Sequence, residues 1–329
     1  MRKCAVLFHG DCDGVISAGL YIRRFFRDLY PGQVVLRHSH PWRLALDLKK
    51  VLLQPDIDIV VLVDLALNSD DLSLLLEAVK RRISIIIIDH HQSSEKALSE
   101  LKTVSNIKIY WSTLQSTPQV LAQSVLRNLN NYEQMLVTIA NVCEGGSTED
   151  EYIRSVADKV KLVLAVEPTN NKIIYSSVDS IVKGEEFWKI QQFDEVYWKA
   201  KWLLSLLIKK IQIKAKNLCG WDIATFTLPE SLIFAGLFGI ASSEYMKKVK
   251  RSVILIREEE DKFVITIRST EKKALEACDK LVNHIDSGFK GVFGGHKEAA
   301  SLTIRKTCTI NNLQKIVEEG LRKHLCVSS

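Results

Sequence analysis

From Lys3 to His91 the sequence alternates short apolar runs with amphipathic segments of helical period. The runs are KCAVLFH, QVVLRHS, DIDIVVLVDLA and ISIIIIDHH, and the last is apolar on both faces, as a strand inside a parallel sheet must be. Between them, GVISAGLYIRRFFRDLY puts Ala18, Tyr21, Ile22 and Phe25 at core spacing. PWRLALDLKKVLLQ has Pro41 near its first turn, and SDDLSLLLEAVKRR has Ser69 as a candidate N-cap. The βαβαβαβ rhythm predicts a doubly wound, mainly parallel α/β sheet, a fold that binds ligands at the carboxyl ends of its strands.

Polar residues collect at those ends. His9, Asp11 and Asp13 follow the first strand, Asp64 ends the third, and Asp89, His90 and His91 end the fourth. Carboxylates crowded together raise one another's free energy unless a positive charge sits among them. Three strand ends supplying only carboxylates and imidazoles form the constellation of a metal site.

The remainder of the chain predicts a helical region to about residue 180, with a helix starting at Thr117 and Pro118. A long amphipathic helix over roughly 185–216 carries Trp188, Trp198 and Trp202, whose spacing reads as core packing. After Gly220 the pattern changes to WDIATFTLP, RSVILIREEE, KFVITIRST and AASLTIRK as strands, with ESLIFAGLFGIAS and KKALEACDKLVNHI as helices. The expected organisation is a metal-binding α/β domain over 1–184, a connecting helix over 185–218 and a smaller α/β domain over 219–329, with a cleft between the two.

A chain of 329 residues supports two such cores. No apolar run reaches the roughly 18–20 residues that span a bilayer, and the start of the sequence has no secretory pattern. Seven scattered cysteines without C-x-x-C spacing argue for a reducing cytoplasm and against a disulfide frame or zinc ribbon. The net charge of +6 is uneven: residues 1–150 balance at −1 and residues 151–329 at +7. That split suits a metal site in front and a grip on an anionic substrate behind, although solvated helix faces give the same balance.

HGDCDG, VLVDLA, IIIIDHH and, far downstream, ITIRST and GGHKEAAS resemble, in that order, the motifs of the DHH phosphoesterases with a DHH-associated second domain. That superfamily includes RecJ exonucleases, nano-RNases, cyclic-dinucleotide phosphodiesterases and manganese-type pyrophosphatases. The resemblance implies two divalent ions, Mn²⁺ or else Mg²⁺. His9 and Asp11 would ligate the first, Asp13 and His90 the second, and Asp64 would bridge them. His91 would touch the substrate phosphate, with Asp89 holding a histidine in place. In the second domain, Arg268 and Ser269 would grip a nucleotide's terminal phosphate. Gly294 and Gly295, read as a glycine turn before a helix start, would let backbone approach an anion, and His296 would stack on a base or bind phosphate.

One position departs from the family pattern. In VTIANVCEGG, Asn141 stands where the family has an aspartate for the second metal, and Glu144 is the nearest carboxylate able to substitute. His38 and His40, in LRHSHPW, lie outside the motif set and are read as either cleft or turn residues. The implied function is a Mn²⁺-dependent phosphodiesterase that degrades single-stranded DNA, RNA or short oligonucleotides from an end to mononucleotides. The resemblance also implies work beside a repair helicase or replisome component, as for the archaeal DHH nucleases, and no membrane partner. Two alternatives stay open: a RecJ-like scaffold of weakened chemistry, and a phosphodiesterase for cyclic dinucleotides or 3′-phosphoadenosine phosphate.

Overall fold

In the computed structural model, which describes residues 3–168, 170–285 and 291–326, β1 (Lys3–His9) is the strand around which the first half is built. Its side chains alternate between two cores, as a pleated strand dictates. Val6 and Phe8 pack with α1 (Cys12–Phe25) in one core; Ala5 and Leu7 face the other. The chain continues through β2 (Val34–Ser39), α2 (Leu44–Leu52), β3 (Ile57–Val63), α3 (Ser69–Lys80), β4 (Ser84–Asp89), α4 (Glu95–Leu101) and β5 (Ile107–Trp111). Four helices follow: α5 (Thr117–Ser124), α6 (Asn131–Cys143), α7 (Glu151–Val166) and α8 (Asn171–Lys183). Helices α2, α3 and α4 cover one face of the sheet, and α1 with α5 to α8 cover the other.

The five strands are all parallel in the order β2-β1-β3-β4-β5. The order reverses direction at β1 and β3, so the crevice for a ligand opens at their carboxyl ends. The fourfold alternation read from the sequence lacks β5. That strand is short, carries Lys108 and lies on the sheet edge, so its apolar signal is weak. The cap of α3 is Asn68 rather than Ser69, in a reciprocal capping box with Asp71.

The chain divides into two compact units, Met1–Tyr197 and Trp198–Ser329, with the boundary inside α9 (Gln191–Lys214). This helix begins later than its periodicity suggests, because Phe187–Lys189 form a separate 3₁₀ turn and Ile190 is extended. The aromatic stripe is not uniformly core. Trp188 is buried, but Trp198 and Trp202 are 65 % and 62 % exposed.

The second unit holds β6 (Lys216–Leu218), β7 (Trp221–Phe226), α10 (Leu228–Ile233), α11 (Phe238–Val249), β8 (Ser252–Glu258), β9 (Lys262–Arg268), α12 (Ala274–Ile285), β10 (Gly291–Gly295), β11 (Ala299–Arg305) and α13 (Ile310–His324). Its mixed sheet has the order β10-β11-β9-β8-β7-β6, with α12 and α13 packed on its core. The single helix expected over ESLIFAGLFGIAS is two, parted where Gly236 takes a φ of 78°.

The cysteines depart from the expectation of no disulfides. Cys12 pairs with Cys143 and Cys219 with Cys326, at sequence separations of 131 and 107. Pairs so distant leave no local spacing to read. Among the described residues, no helix is long and apolar enough to cross a membrane.

Candidate metal centre

β1 delivers His9 as its last residue, and the chain turns at once into α1. Asp11 caps that helix, its side chain accepting the Gly14 N–H at 3.1 Å. A Cβ on Gly14 would stand 2.1 Å from the His9 carbonyl oxygen, so glycine lets the helix start directly beneath the strand end. Asp13, in the first turn of α1, is 1 % exposed. Asp64 follows β3 with a φ of 58° and is 3 % exposed. A non-glycine residue held in the left-handed region stores roughly 1–3 kcal/mol, a strain that collects where a side chain must be aimed. β4 ends at Asp89, and His90 behind it is buried.

Among the groups of ligand-type atoms that result, two hold the expected metal ligands. His9, Asp11 and Asp64 form one; Asp13, Asp64 and His90 form the other, and in each the atoms lie within 4.8 Å of one another. Asp64 belongs to both through different oxygens. His9 Nδ1 stands 3.8 Å from Asp64 Oδ2, whereas His90 Nε2 stands 3.6 Å from Asp64 Oδ1. His9 Nδ1 is also 2.8 Å from Asp11 Oδ2, and His90 Nε2 is 3.3 Å from Asp13 Oδ2.

The electrostatics call for a cation. Burial, reinforced by neighbouring carboxylates, pushes both Asp13 and Asp64 well above the usual carboxylate range. For Asp11, burial opposes ionisation, but the imidazole of His9 outweighs it and holds the carboxyl low. Asp13 Oδ1 is buried with no hydrogen-bond partner. An orphaned carboxylate oxygen, two carboxylates that ionise with difficulty and two imidazoles form a donor set that fits divalent cations.

The surrounding contacts aim these groups. His90 Nδ1 lies 3.1 Å from the Leu114 carbonyl, which selects the tautomer that turns Nε2 toward Asp13 and Asp64. His91 Nδ1 lies 2.6 Å from Asp89 Oδ1, and Ser94 donates to Asp89 Oδ2 at 2.6 Å. Burial works against charge on this pair, yet the pairing raises His91 and holds Asp89 down to about 2. Trp111 fixes the backbone behind the ring, donating to the His91 carbonyl at 2.9 Å.

Three hydroxyl residues escape sequence reasoning. Thr117 donates from its backbone to Asp13 Oδ2 at 3.1 Å and from its hydroxyl to Asp64 Oδ1 at 2.9 Å. Ser116 caps α5 and donates to Asn141 Oδ1 at 2.6 Å, and Ser94 anchors Asp89. The available signal is position: Ser-Thr-Pro opens a helix just beyond a parallel strand's carboxyl end.

Asn141 lies on α6, close enough for Ser116 to occupy its Oδ1. Glu144, the exposed C-cap of that helix, raises Asp13 and Asp64 by its charge but joins neither ligand group. The Cys12–Cys143 pair ties the end of α6 to the turn that carries Asp11 and Asp13. His38 and His40 stay outside the ligand groups, although the His40 ring centroid is 5.3 Å from that of His9.

In the second unit, Arg268 ends β9. It donates to Ser243 Oγ at 2.9 Å, to the Ile267 carbonyl at 2.9 Å and to the Gly239 carbonyl at 3.2 Å. Ser269 is buried and caps the following turn, accepting the N–H groups of Glu271 and Lys273. Gly294 and Gly295 do not precede a helix. They end β10, and His296 to Ala299 form a hairpin turn closed by hydrogen bonds of 2.8 and 3.2 Å. Gly295, at a φ of 132°, supplies the conformation that the turn into β11 requires.

Residues 3–144 match the family model described as the DHH family, N-terminal domain. Those residues carry a DHH-family N-terminal domain. The fold of the chain is shared with solved structures across nearly its full length. One, described as the DHH domain of a member of a family of ribosomal proteins, is 14 % identical with a TM-score of 0.65, over 99 % of this chain and 87 % of that one. An exonuclease RecJ bound to manganese is 14 % identical with a TM-score of 0.55, over 99 % and 93 %. CDC45 from Entamoeba histolytica is 10 % identical with a TM-score of 0.61, over 98 % and 95 %. At such identities the likeness establishes the fold. No curated protein matches the sequence significantly.

Proposed function

We propose that this protein is a Mn²⁺-dependent phosphodiesterase that shortens single-stranded nucleic acid or oligonucleotides from an end. The observation that carries this reading is Asp64, which offers one oxygen to the His9–Asp11 group and the other to the Asp13–His90 group. In it, His9, Asp11 and Asp64 hold one divalent ion, and Asp13, His90 and Asp64 hold a second. Mixed nitrogen and oxygen donors favour Mn²⁺ over Mg²⁺, which prefers oxygen alone. A pair of divalent ions supplies a nucleophile from water and neutralises charge building on the phosphoryl oxygens.

The chain's own groups do the rest. His91, oriented by Asp89 and raised in basicity by it, presents an N–H to the substrate phosphate. On the second unit, Arg268, Ser269, Gly294, Gly295 and His296 form the nucleotide grip. The manganese-bound RecJ exonuclease of the same fold supports the choice of metal and substrate class.

A second reading is a scaffold of reduced activity. Asn141 favours it, because its oxygen already accepts from Ser116 and brings no charge to the second ion. The shared fold with CDC45 is consistent with it. The deciding experiment digests end-labelled single-stranded DNA and RNA with Mn²⁺ or Mg²⁺. A ladder of shortened products, stronger with Mn²⁺, is expected. Absence of hydrolysis at saturating Mn²⁺ removes the enzyme reading.

A further inference from the structure

Residues 198–214 of α9 belong to the second unit, and this stretch contains five lysines and no carboxylate. Ala200, Leu203, Leu204, Leu207 and Ile211 bury one side of it. At about 3.6 residues per turn, Trp198, Trp202, Ser205 and Lys209 form a row within about 60° on the opposite side, and all four are exposed. Lys201 stands at the flank of the row, its Nζ 5.5 Å from the centre of the Trp198 ring. Lys210 and Lys214 both donate to Glu230, at 3.0 and 2.6 Å, so Lys209 is the lysine of the row itself.

An exposed tryptophan forgoes the burial that its large ring offers. Two of them on one face, a single turn apart, form a surface suited to being covered. The rest of the row decides what covers it. A partner groove that receives a helix reads apolar anchors at i, i+4 and i+7. Counted from Trp198, the i+7 position here is Ser205 and the i+11 position is Lys209. A second copy of this chain, laid face to face on the row, would set lysine against lysine with no carboxylate of either stretch between them.

Rings followed by a cation match a single strand of nucleic acid, whose bases stack on aromatic faces and whose phosphates pair with lysine. The two tryptophans are about 6 Å apart along the helix axis. That exceeds the ~3.4 Å rise of a stacked strand, so each ring takes one base of an extended, unpaired strand. The surplus of +7 over residues 151–329 attracts the same polyanion.

We infer that the exposed face of α9 formed by Trp198, Trp202 and Lys209 is a stacking platform for unpaired nucleotides. The inference rests on the phosphodiesterase reading and narrows its substrate to strands with unpaired bases beyond those at the scissile bond. Trp198 and Trp202 each stack one base, and Lys209, further along the row, meets a phosphate of the same strand.

The test measures dissociation constants in EDTA for an oligothymidylate of about 12 nucleotides and for a duplex of the same length. Wild type should prefer the single strand. Trp198→Ala combined with Trp202→Ala should weaken single-strand binding about tenfold or more, as the loss of two base–ring stacks requires. Trp198→Phe combined with Trp202→Phe keeps flat rings and should stay within about threefold of wild type. Lys209→Gln should reduce the salt dependence of the affinity by about 0.7 in log–log slope. An alanine double variant with unchanged affinity, or a duplex bound as tightly as the single strand, overturns the platform. A wild-type dimer in sedimentation that the alanine double variant splits also overturns it and assigns the row to self-association. Hydrolysis of a dinucleotide with Mn²⁺ is scored separately. If binding depends on the rings but nothing is cleaved, the platform stands and the enzyme reading falls. If the dinucleotide is cleaved but binding ignores the rings, the platform alone falls.

Discussion

The Thr117 hydroxyl donates to Asp64 Oδ1 at 2.9 Å, the oxygen that also faces His90. The same residue's backbone N–H reaches Asp13 Oδ2 at 3.1 Å, so one residue at the start of α5 aims both carboxylates of the second ligand group. Thr117→Val keeps the backbone contact and the side-chain volume but deletes the hydroxyl. Outer contacts of this kind are worth about 10–100-fold in metal affinity. The variant should therefore require about tenfold more Mn²⁺ for half-maximal binding, with a nearly unchanged melting temperature. An unchanged Mn²⁺ titration would remove Thr117 from the site.

Asn141 and Glu144 separate an enzyme from a scaffold. If Asn141 leaves the second ion short of charge, Asn141→Asp should tighten it by about an order of magnitude, roughly 1.4 kcal/mol. Glu144 acts only through its charge at this distance from the ligand groups, so Glu144→Ala should weaken Mn²⁺ binding by less than Asp13→Ala does. Calorimetric titration of the three variants checks the ranking, and a Glu144→Ala loss as large as that of Asp13→Ala would make Glu144 a ligand.

The charged residues of this centre were legible because of where they stand. His9, Asp11, Asp13, Asp64 and Asp89 to His91 each follow an apolar run, and a parallel sheet leaves few other reasons for carboxylates there. Thr117, Ser116 and Ser94 were not, since hydroxyls open helices and turns everywhere. Gly294 and Gly295 misled because GGHKEAA fits a helix start as well as a hairpin, and only pairing with Ala300 and Ser301 decides it. The exposure of Trp198 and Trp202 and the cysteine pairs depend on long-range packing that no local pattern carries.

Asp71 gives a pH dependence away from the metal centre. Burial, opposed by the Asn68 N–H, raises it from 3.8 to about 7. A carboxyl whose folded-state pKa is raised takes up a proton on folding, so its penalty is absent below about 4 and complete above about 7. Asp71→Asn removes an ionisation cost of at most about 4 kcal/mol. The variant should gain melting temperature over wild type at pH 8 and lose that gain at pH 4. An equal difference at both pH values would contradict the shift.

The Cys12–Cys143 pair closes a long loop across the centre. Such a cross-link is worth about 2–4 kcal/mol. Cys143→Ser should lower the denaturation midpoint accordingly and weaken Mn²⁺ binding, because Asp11 and Asp13 flank Cys12. Wild type in excess reductant should behave alike. A midpoint that ignores both reductant and Cys143→Ser would show that the pair contributes nothing.

The central claim is that Asp64 serves two ions at once, and Mn²⁺ counted per chain by paramagnetic titration tests it most directly. Wild type should bind two Mn²⁺ whose signals couple, and Asp64→Ala should lose both at concentrations that saturate wild type while keeping its fold by circular dichroism. A wild type that binds a single uncoupled ion, or an Asp64→Ala variant that still binds two, would contradict it.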